Sequence, residues 1–485
     1  SWETRYSMTG ITVKELLEAT GGNLLLGQED QHAGHISLDS RKMEGDDLFV
    51  PIVGERVDAH LFLCQAIASG AAAVFTSEHH RWEDVKASVR QQCGGNREQE
   101  KKALGAAWIE VPDTKKALQD LGSFCRKRLT LPLVGITGSV GKTTTREMIA
   151  EALSAGFLVY KTPGNSNSQV GVPITIAEIP QSAEIGVIEL GMSEPGEMER
   201  ISRVARVDCA VITNIGVAHI EQLGSQEHIL EEKLHIQDGM PAEGILFLNG
   251  DDPLLASVVP KEGRKRVLYG LGRDCDYRAE DLHLEEGYPV FTAVHGDRSV
   301  RVRLQVMGSH MVSNAMAALA VADTYGLSME KAALALGQFK GYKGRQQIFQ
   351  WGGVTVIDDS YNASPVSMKA GLEVLASVKG EGRRIAVLAD MKELGLEAVR
   401  FHEEIGAYIG EHPLDMVLLL GELASCIGSG MDAARAVTPH IEMDRLAQVE
   451  EWLDEHIREG DCILFKGSNS MKLSEAVRHL KEARA

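Results

Sequence analysis

The stretch Pro132-Leu-Val-Gly-Ile-Thr-Gly-Ser-Val-Gly-Lys-Thr-Thr-Thr145 decides the fold of this chain. It reads as a buried strand, Pro132 to Thr137, that runs into a glycine turn and then into a helix beginning near Lys142. Strand, glycines, lysine and hydroxyls in that order make a phosphate-cradling loop. Its backbone amides and the helix N-terminus face phosphate oxygens, Lys142 supplies a cation, and the Thr143 hydroxyl is a hard ligand for Mg2+. Gly138, Ser139, Gly141 and Thr144 complete the candidate nucleotide contacts. The spacing is the short form G-x-x-G-K-T, because the position six before Lys142 is Ile136 and the first glycine is Gly138. ATP is the expected ligand.

The same rhythm continues outward. Apolar runs at Ile185 to Leu190, Cys209 to Ile215 and Gly244 to Leu248 are separated by helix-length segments, which predicts a parallel sheet in a doubly wound central domain, residues 129–342. After Gly341 the alternation restarts with runs at Val354 to Asp358, Arg384 to Leu388, Met416 to Leu420 and Cys462 to Phe465, a Rossmann-like third domain at 343–485. Ahead of the loop, a helical pattern from Val13 to Ala19 and short strands at Asp47 to Ile52 and Ala72 to Thr76 predict a small α/β domain at 1–128. The charge-rich segment Glu78 to Lys102 reads as a solvated surface insertion. The expected fold is therefore α/β in three domains.

Composition agrees with such an architecture. A chain of 485 residues exceeds what one hydrophobic core organises, and 44% hydrophobic with 25% charged residues is ordinary for a globular protein. A formal charge of -19 repels phosphate backbones and anionic lipid heads, so nucleic acid is not an expected partner. A nucleotide substrate must be met by local donors and cations. Seven scattered cysteines without a C-x-x-C pair read as reduced thiols. No apolar run approaches the ~20 residues of a membrane helix, so no membrane insertion is expected. The N-terminus lacks the layout of a secretion signal, and a cytoplasmic monomer is expected.

Further motifs follow in a fixed order: Pro163-Gly-Asn-Ser-Asn167, Glu189-Leu-Gly191, Thr213-Asn-Ile-Gly-Val-Ala-His219 and Glu231-Glu-Lys233. With the Thr-Thr-Thr of the loop, this order resembles the Mur ligase superfamily. In the third domain, Asp358-Asp-Ser-Tyr-Asn-Ala-Ser-Pro365, Asp390-Met391 with Glu393-Leu-Gly395, and Lys466-Gly-Ser-Asn-Ser-Met471 resemble its D-alanyl-D-alanine-adding branch. The first domain contributes Asp39-Ser-Arg41, Gly45-Asp-Asp-Leu-Phe49 and Gly54-Glu-Arg-Val-Asp58, similar to the family's uridine-diphosphate pocket. Departures are Ser168, Met311 and Ala389, where the family usually has Asn, Asn and often Gly. The neighbouring branch that adds a diamino acid commonly shows an Asp-Asn-Pro-Arg signature, absent here, and a folylpolyglutamate-type synthetase would not need the first domain. A nucleotide-binding regulator without ligase activity is a further alternative, against which the retained Lys142, Thr143, Glu189, His219 and Lys233 argue.

The resemblance implies an ATP-dependent amide ligase that adds D-alanyl-D-alanine to a UDP-N-acetylmuramoyl-tripeptide through an acyl phosphate in peptidoglycan synthesis. It also implies two Mg2+ ions, one held by Thr143 and Glu189 and one by Glu189 and His219. Lys233 matches the lysine that several relatives carry as a carbamate, a metal ligand whose formation needs the neutral amine. Taken alone, His219 is more often a packed or capping residue, and Lys233 beside Glu231 and Glu232 more often lies on a solvated helix face; the resemblance reverses both readings. His310 and Asn314 resemble an H-x-x-x-N helix segment in which the asparagine pairs with adenine, with a core or capping role open for His310. Arg345 and Asp359 are implied to reach ribose and phosphates, Ser40 and Arg41 the uridine diphosphate, and Asn165 and Asn167 the muramoyl peptide. Tyr361, Asn362 and Ser364 are implied to shape the dipeptide pocket and Lys466 to meet an anionic group. By itself, a Ser-Arg pair on a turn is more often only a surface feature, and it gains weight from the residues around it.

Overall fold

The computed structural model describes residues 11–139, 141–217, 220–285, 287–341, 347–378 and 380–485. The main sheets follow one another along the chain, with five, nine and six strands. The central sheet has the order Val159–Lys161, Ile185–Glu189, Leu133–Thr137, Cys209–Ile212, Ile245–Asn249, Lys265–Gly270, Tyr277–Glu285, Tyr288–His295, Arg298–Arg303. Its first seven strands are parallel. Both faces are buried, which is why the parallel strands read as continuous apolar runs. Val134 and Ile136 face helices Lys142–Leu153, Met311–Thr324 and Met329–Leu336, whereas Leu133 faces Thr114–Lys127, Gly171–Ala177 and Glu197–Ala205. Strands Leu133–Thr137 and Cys209–Ile212 are neighbours whose following connections leave in opposite directions. The crevice beyond their carboxyl ends is where open α/β sheets bind ligands.

Two features differ from the sequence reading. Strands Tyr288–His295 and Arg298–Arg303 add antiparallel pairs to the edge of the central sheet. Arg298-Ser-Val-Arg-Val-Arg303 alternates polar and apolar residues because one face meets solvent, so a search for continuous apolar runs passes over it, whereas Tyr288–His295 is largely apolar and buried and is a run the sequence reading missed. The segment Glu78 to Lys102 is also not a solvated insertion. It forms helices Trp82–Cys93 and Arg97–Leu104, and Val85, Val89, Cys93 and Ala103 pack with Phe49, Ile67 and Trp108 in a core of the first domain. Val85, Val89 and Cys93 recur every four residues, a helical stripe masked by the charges around it.

The first domain's sheet runs Asn23–Leu26, Ala107–Glu110, Ala73–Thr76, Asp47–Phe49, His35–Ser37, parallel except for its first pair. Its last helix, Thr114–Lys127, lies against the central domain: a Cβ on Gly122 would stand 2.9 Å from Pro173. Leu118 and Leu121 consequently share one core with Val172 and Ile201. The third sheet runs Gln347–Trp351, Val354–Asp359, Cys462–Lys466, Arg384–Ala389, Met416–Leu420, His440–Met443, parallel after an antiparallel first pair.

Candidate active site

The loop after Leu133–Thr137 is shaped by its neighbours. A Cβ at Gly138 would stand 1.8 Å from Thr213 Oγ1 at the end of the adjacent strand, so only glycine fits. Gly141, at φ 80°, turns the chain into helix Lys142–Leu153. The Ser139 amide donates to the Asn214 carbonyl at 3.2 Å, while the Ser139 and Thr137 hydroxyls are buried without a partner among the described residues. A buried hydroxyl with unspent capacity beside a helix N-terminus fits a phosphate oxygen.

Glu189, fully buried at the end of the next strand, is the hub of the site. The Thr143 hydroxyl donates to it at 3.2 Å and the Asn167 amide at 2.8 Å. Arg146, which the sequence reading missed, donates to Glu189 Oε2 at 2.9 Å. Its spacing of four from Lys142, along one helix face, was the available signal. Burial alone would raise the carboxyl of neighbouring Glu147, but the hydrogen bond from Lys161 and the charge of Arg146 leave it lowered. Thr143 and Glu189 supply hard oxygens in contact at the foot of the phosphate loop, a donor set that suits Mg2+.

Lys233 lies on helix Gln226–Leu234 and is only 3% exposed, so it is not a solvated helix lysine; Glu231 takes the solvent side. Burial, and then the charge of Lys142, lower its ammonium to about 7. A neutral amine is thus accessible near neutral pH. His219 and Arg345 lie outside the described residues.

A cavity of 250 Å³ opens between the central and third domains. Gly141, Thr144, His310 and Asn314 line one side, and Asp359, Asn362 and Lys466 the other. Thr213, Asn214 and Asn249, at the ends of the central strands, also border it; none was singled out individually from the sequence. Asn314 Oδ1 accepts from the Thr145 hydroxyl at 3.0 Å, which fixes its side chain beside the loop. The Lys466 ammonium is buried, 2.9 Å from Asp359 Oδ2 and donating to the Asn362 carbonyl at 2.9 Å. The anionic group it meets here is therefore the protein's own Asp359.

The remaining candidates are spread around this centre. The Asn165 amide donates to the Tyr361 hydroxyl across the two domains. Ser364 caps helix Pro365–Ser377, accepting from the Ser367 amide at 3.2 Å. Ser40 and Arg41 sit in the first domain and do not line the cavity. The Ser40 hydroxyl donates to Gln65 at 3.1 Å. Arg41 is exposed and donates from Nε and Nη2 to the two oxygens of Asp39, both at 3.0 Å. That hydrogen bonding holds the Asp39 carboxyl down at about 2.

A phosphate loop at the switch point of one domain, roofed by a second α/β domain, places the molecule among enzymes that use ATP under a closing domain. Comparison with known proteins gives the particular family. The chain matches the Mur ligase family catalytic domain over residues 32–125, the Mur ligase middle domain over 136–322 and the Mur ligase glutamate ligase domain over 344–469. It belongs to the Mur ligase family. It is 38% identical over 480 residues to the UDP-N-acetylmuramoyl-tripeptide--D-alanyl-D-alanine ligase of Bacillus subtilis, covering 97% of this chain and 98% of that protein. Crystal structure I of MurF from Acinetobacter baumannii superposes with a TM-score of 0.86 at 29% identity, covering 97% of this chain and 98% of that one. The MurF ligase of Thermotoga maritima in complex with ADP superposes with a TM-score of 0.78 at 28% identity, over 92% of this chain and 97% of that one.

Proposed function

We propose that this chain joins D-alanyl-D-alanine to UDP-N-acetylmuramoyl-tripeptide, converting ATP to ADP and phosphate and yielding the pentapeptide precursor of peptidoglycan. The observation that carries the reading is the cleft in which Gly141 and Thr144 of the phosphate loop in one domain face Asp359, Asn362 and Lys466 of another, with Thr143 of the same loop bonded to Glu189. The relatives' names supply the substrates.

The chemistry follows from the substrates. The tripeptide's terminal carboxylate oxygen attacks the γ-phosphorus of ATP and ADP leaves, giving an acyl phosphate. The D-alanyl-D-alanine amine then attacks the acyl carbon through a tetrahedral oxyanion, phosphate departs, and the amine loses a proton. Positioning and charge stabilisation carry most of such catalysis. In this reading Gly138, Ser139, Gly141, Lys142, Thr143 and Thr144 hold the phosphates, and Asn314, Arg345 and Asp359 hold the nucleoside side. Two Mg2+ ions, when bound, neutralise charge on the phosphate and carboxylate oxygens; Thr143, Glu189, His219 and a Lys233 carbamate are their ligands. The carbamate forms as the neutral Lys233 amine adds CO2 and releases a proton. Ser40 and Arg41 bind the uridine diphosphate, and Asn165 and Asn167 the muramoyl peptide. Tyr361, Asn362 and Ser364 bind the dipeptide, with Lys466 setting Asp359. Residues 1–128, 129–342 and 343–485 accordingly bind the UDP precursor, ATP and the dipeptide. The enzyme works as a cytoplasmic monomer; among the described residues no helix is long and apolar enough to cross a membrane.

Phosphate release from ATP should require both the tripeptide nucleotide and D-alanyl-D-alanine, with the pentapeptide seen by mass. Turnover only with a dipeptide precursor and a free diamino acid would move the chain to the neighbouring branch. Exchanging lysine for diaminopimelate in the tripeptide reads its specificity.

A further inference from the structure

Arg146 is 1% exposed, and its guanidinium is spent entirely inside the protein. Nη1 donates to Glu189 Oε2 at 2.9 Å and to the Gly164 carbonyl at 2.6 Å. Nε and Nη2 donate to Glu147 Oε1 at 3.2 and 2.7 Å. Glu147 accepts from the Lys161 ammonium on its other oxygen, completing a quartet of two cations and two carboxylates. Only a planar fork with five donors reaches three acceptors in these directions; a lysine is a point charge on a flexible stem.

The two Nη1 contacts go to separate halves of the site. Arg146 takes Oε2 of Glu189 and Asn167 takes Oε1, while the Thr143 hydroxyl lies 3.2 and 3.3 Å from the two oxygens, so the carboxylate beside the phosphate loop is fixed at both ends. By taking the Gly164 carbonyl it ties the phosphate-loop helix to the turn that carries Asn165 and Asn167. We propose that Arg146 is a positioning residue that locks the divalent-ion edge of Glu189 and the acceptor-binding turn 163–167 into one rigid unit. The inference rests on the ligase reading above. It adds that the cation requirement and the tripeptide-nucleotide requirement of this enzyme are coupled through one buried side chain.

The test uses Arg146→Lys in the full chain, first checked for folding by circular dichroism. Mn2+-dependent binding of ADP, read calorimetrically without any peptide, should need about 10-fold to 100-fold more Mn2+, the loss usual when a ligand's orienting partner is removed. In the ligase assay the KM for the tripeptide nucleotide should rise while that for D-alanyl-D-alanine stays at the wild-type value. Glu147→Gln, which keeps the contacts to Glu189 and Gly164, should leave the Mn2+ dependence unchanged. A folded Arg146→Lys protein with wild-type Mn2+ dependence, or Glu147→Gln moving it equally, would overturn the proposal. If Arg146→Lys does not fold, Arg146→Gln replaces it, and failure of both assigns Arg146 to stability alone, which also overturns it. Mn2+–ADP binding that shifts as expected in a protein forming no pentapeptide would instead sink the ligase reading and leave the role of Arg146 standing.

Discussion

Lys233 shows how much one side chain's surroundings can change its chemistry. Its ammonium is lowered to about 7 from the ordinary 10.5 by burial and then by Lys142. Between those two values the unfolded chain binds a proton that the folded chain does not, so this group's contribution to stability rises with pH across that window and its full penalty lies below pH 7. Lys233→Met should therefore be more stable than the wild type in acid, with the difference shrinking as pH climbs toward 10.5. Melting curves of both proteins, free of metal and nucleotide, check this; parallel curves would mean the amine is solvated after all. The sequence alone left Lys233 open between a solvated and a functional role, because its neighbours are Glu231 and Glu232. Burial is a tertiary fact that no single helix declares. Gly138 is the opposite case, legible from the motif and explained by Thr213 on the adjacent strand.

At the scale of elements, long apolar strands were easy to read and half-exposed ones were not. The runs at Leu133–Thr137, Ile185–Glu189 and Cys209–Ile212 are buried on both faces, which forces continuous apolar sequence. The strand Arg298–Arg303 and the helices Trp82–Cys93 and Arg97–Leu104 carry their apolar residues on one side only, diluted by charge. Helix Pro365–Ser377 supplies a test of an element's end. Ser364 caps it through a capping box with Ser367 and a proline in the first turn. Ser364→Ala should lower stability by about 1 kcal/mol, and Ser364→Asn should restore most of it, measured by urea denaturation. A rise in the KM for D-alanyl-D-alanine that Ser364→Asn fails to repair would add the dipeptide contact to the cap.

For the whole molecule, the governing feature is how the third domain meets the central one. Asn165 donates to Tyr361, and Glu373 accepts from the Ser309 amide at 3.2 Å. Val217 joins the third domain's core, and Gly395 is pressed against Glu221. Polar links of this kind are individually weak. Tyr361→Phe combined with Glu373→Ala should therefore raise the KM for ATP roughly 10-fold, at about 0.5–1.5 kcal/mol per lost bond. X-ray scattering of the ADP-bound protein should show a larger radius of gyration for the double variant. An unchanged radius with unchanged KM would show that apolar packing alone closes the cleft.

The sequence by itself determined three α/β domains, a short phosphate loop and an ordered set of motifs, because strand period, glycine geometry and residue chemistry are local properties of the chain. Tertiary structure alone decided which of those residues meet. It brought Arg146 to Glu189 and Gly164, sealed Lys233 away from water, and set Lys466 on Asp359 across neighbouring strands. Each of these depends on long-range packing, which fixes distance and burial, and neither quantity is written in any single stretch of sequence.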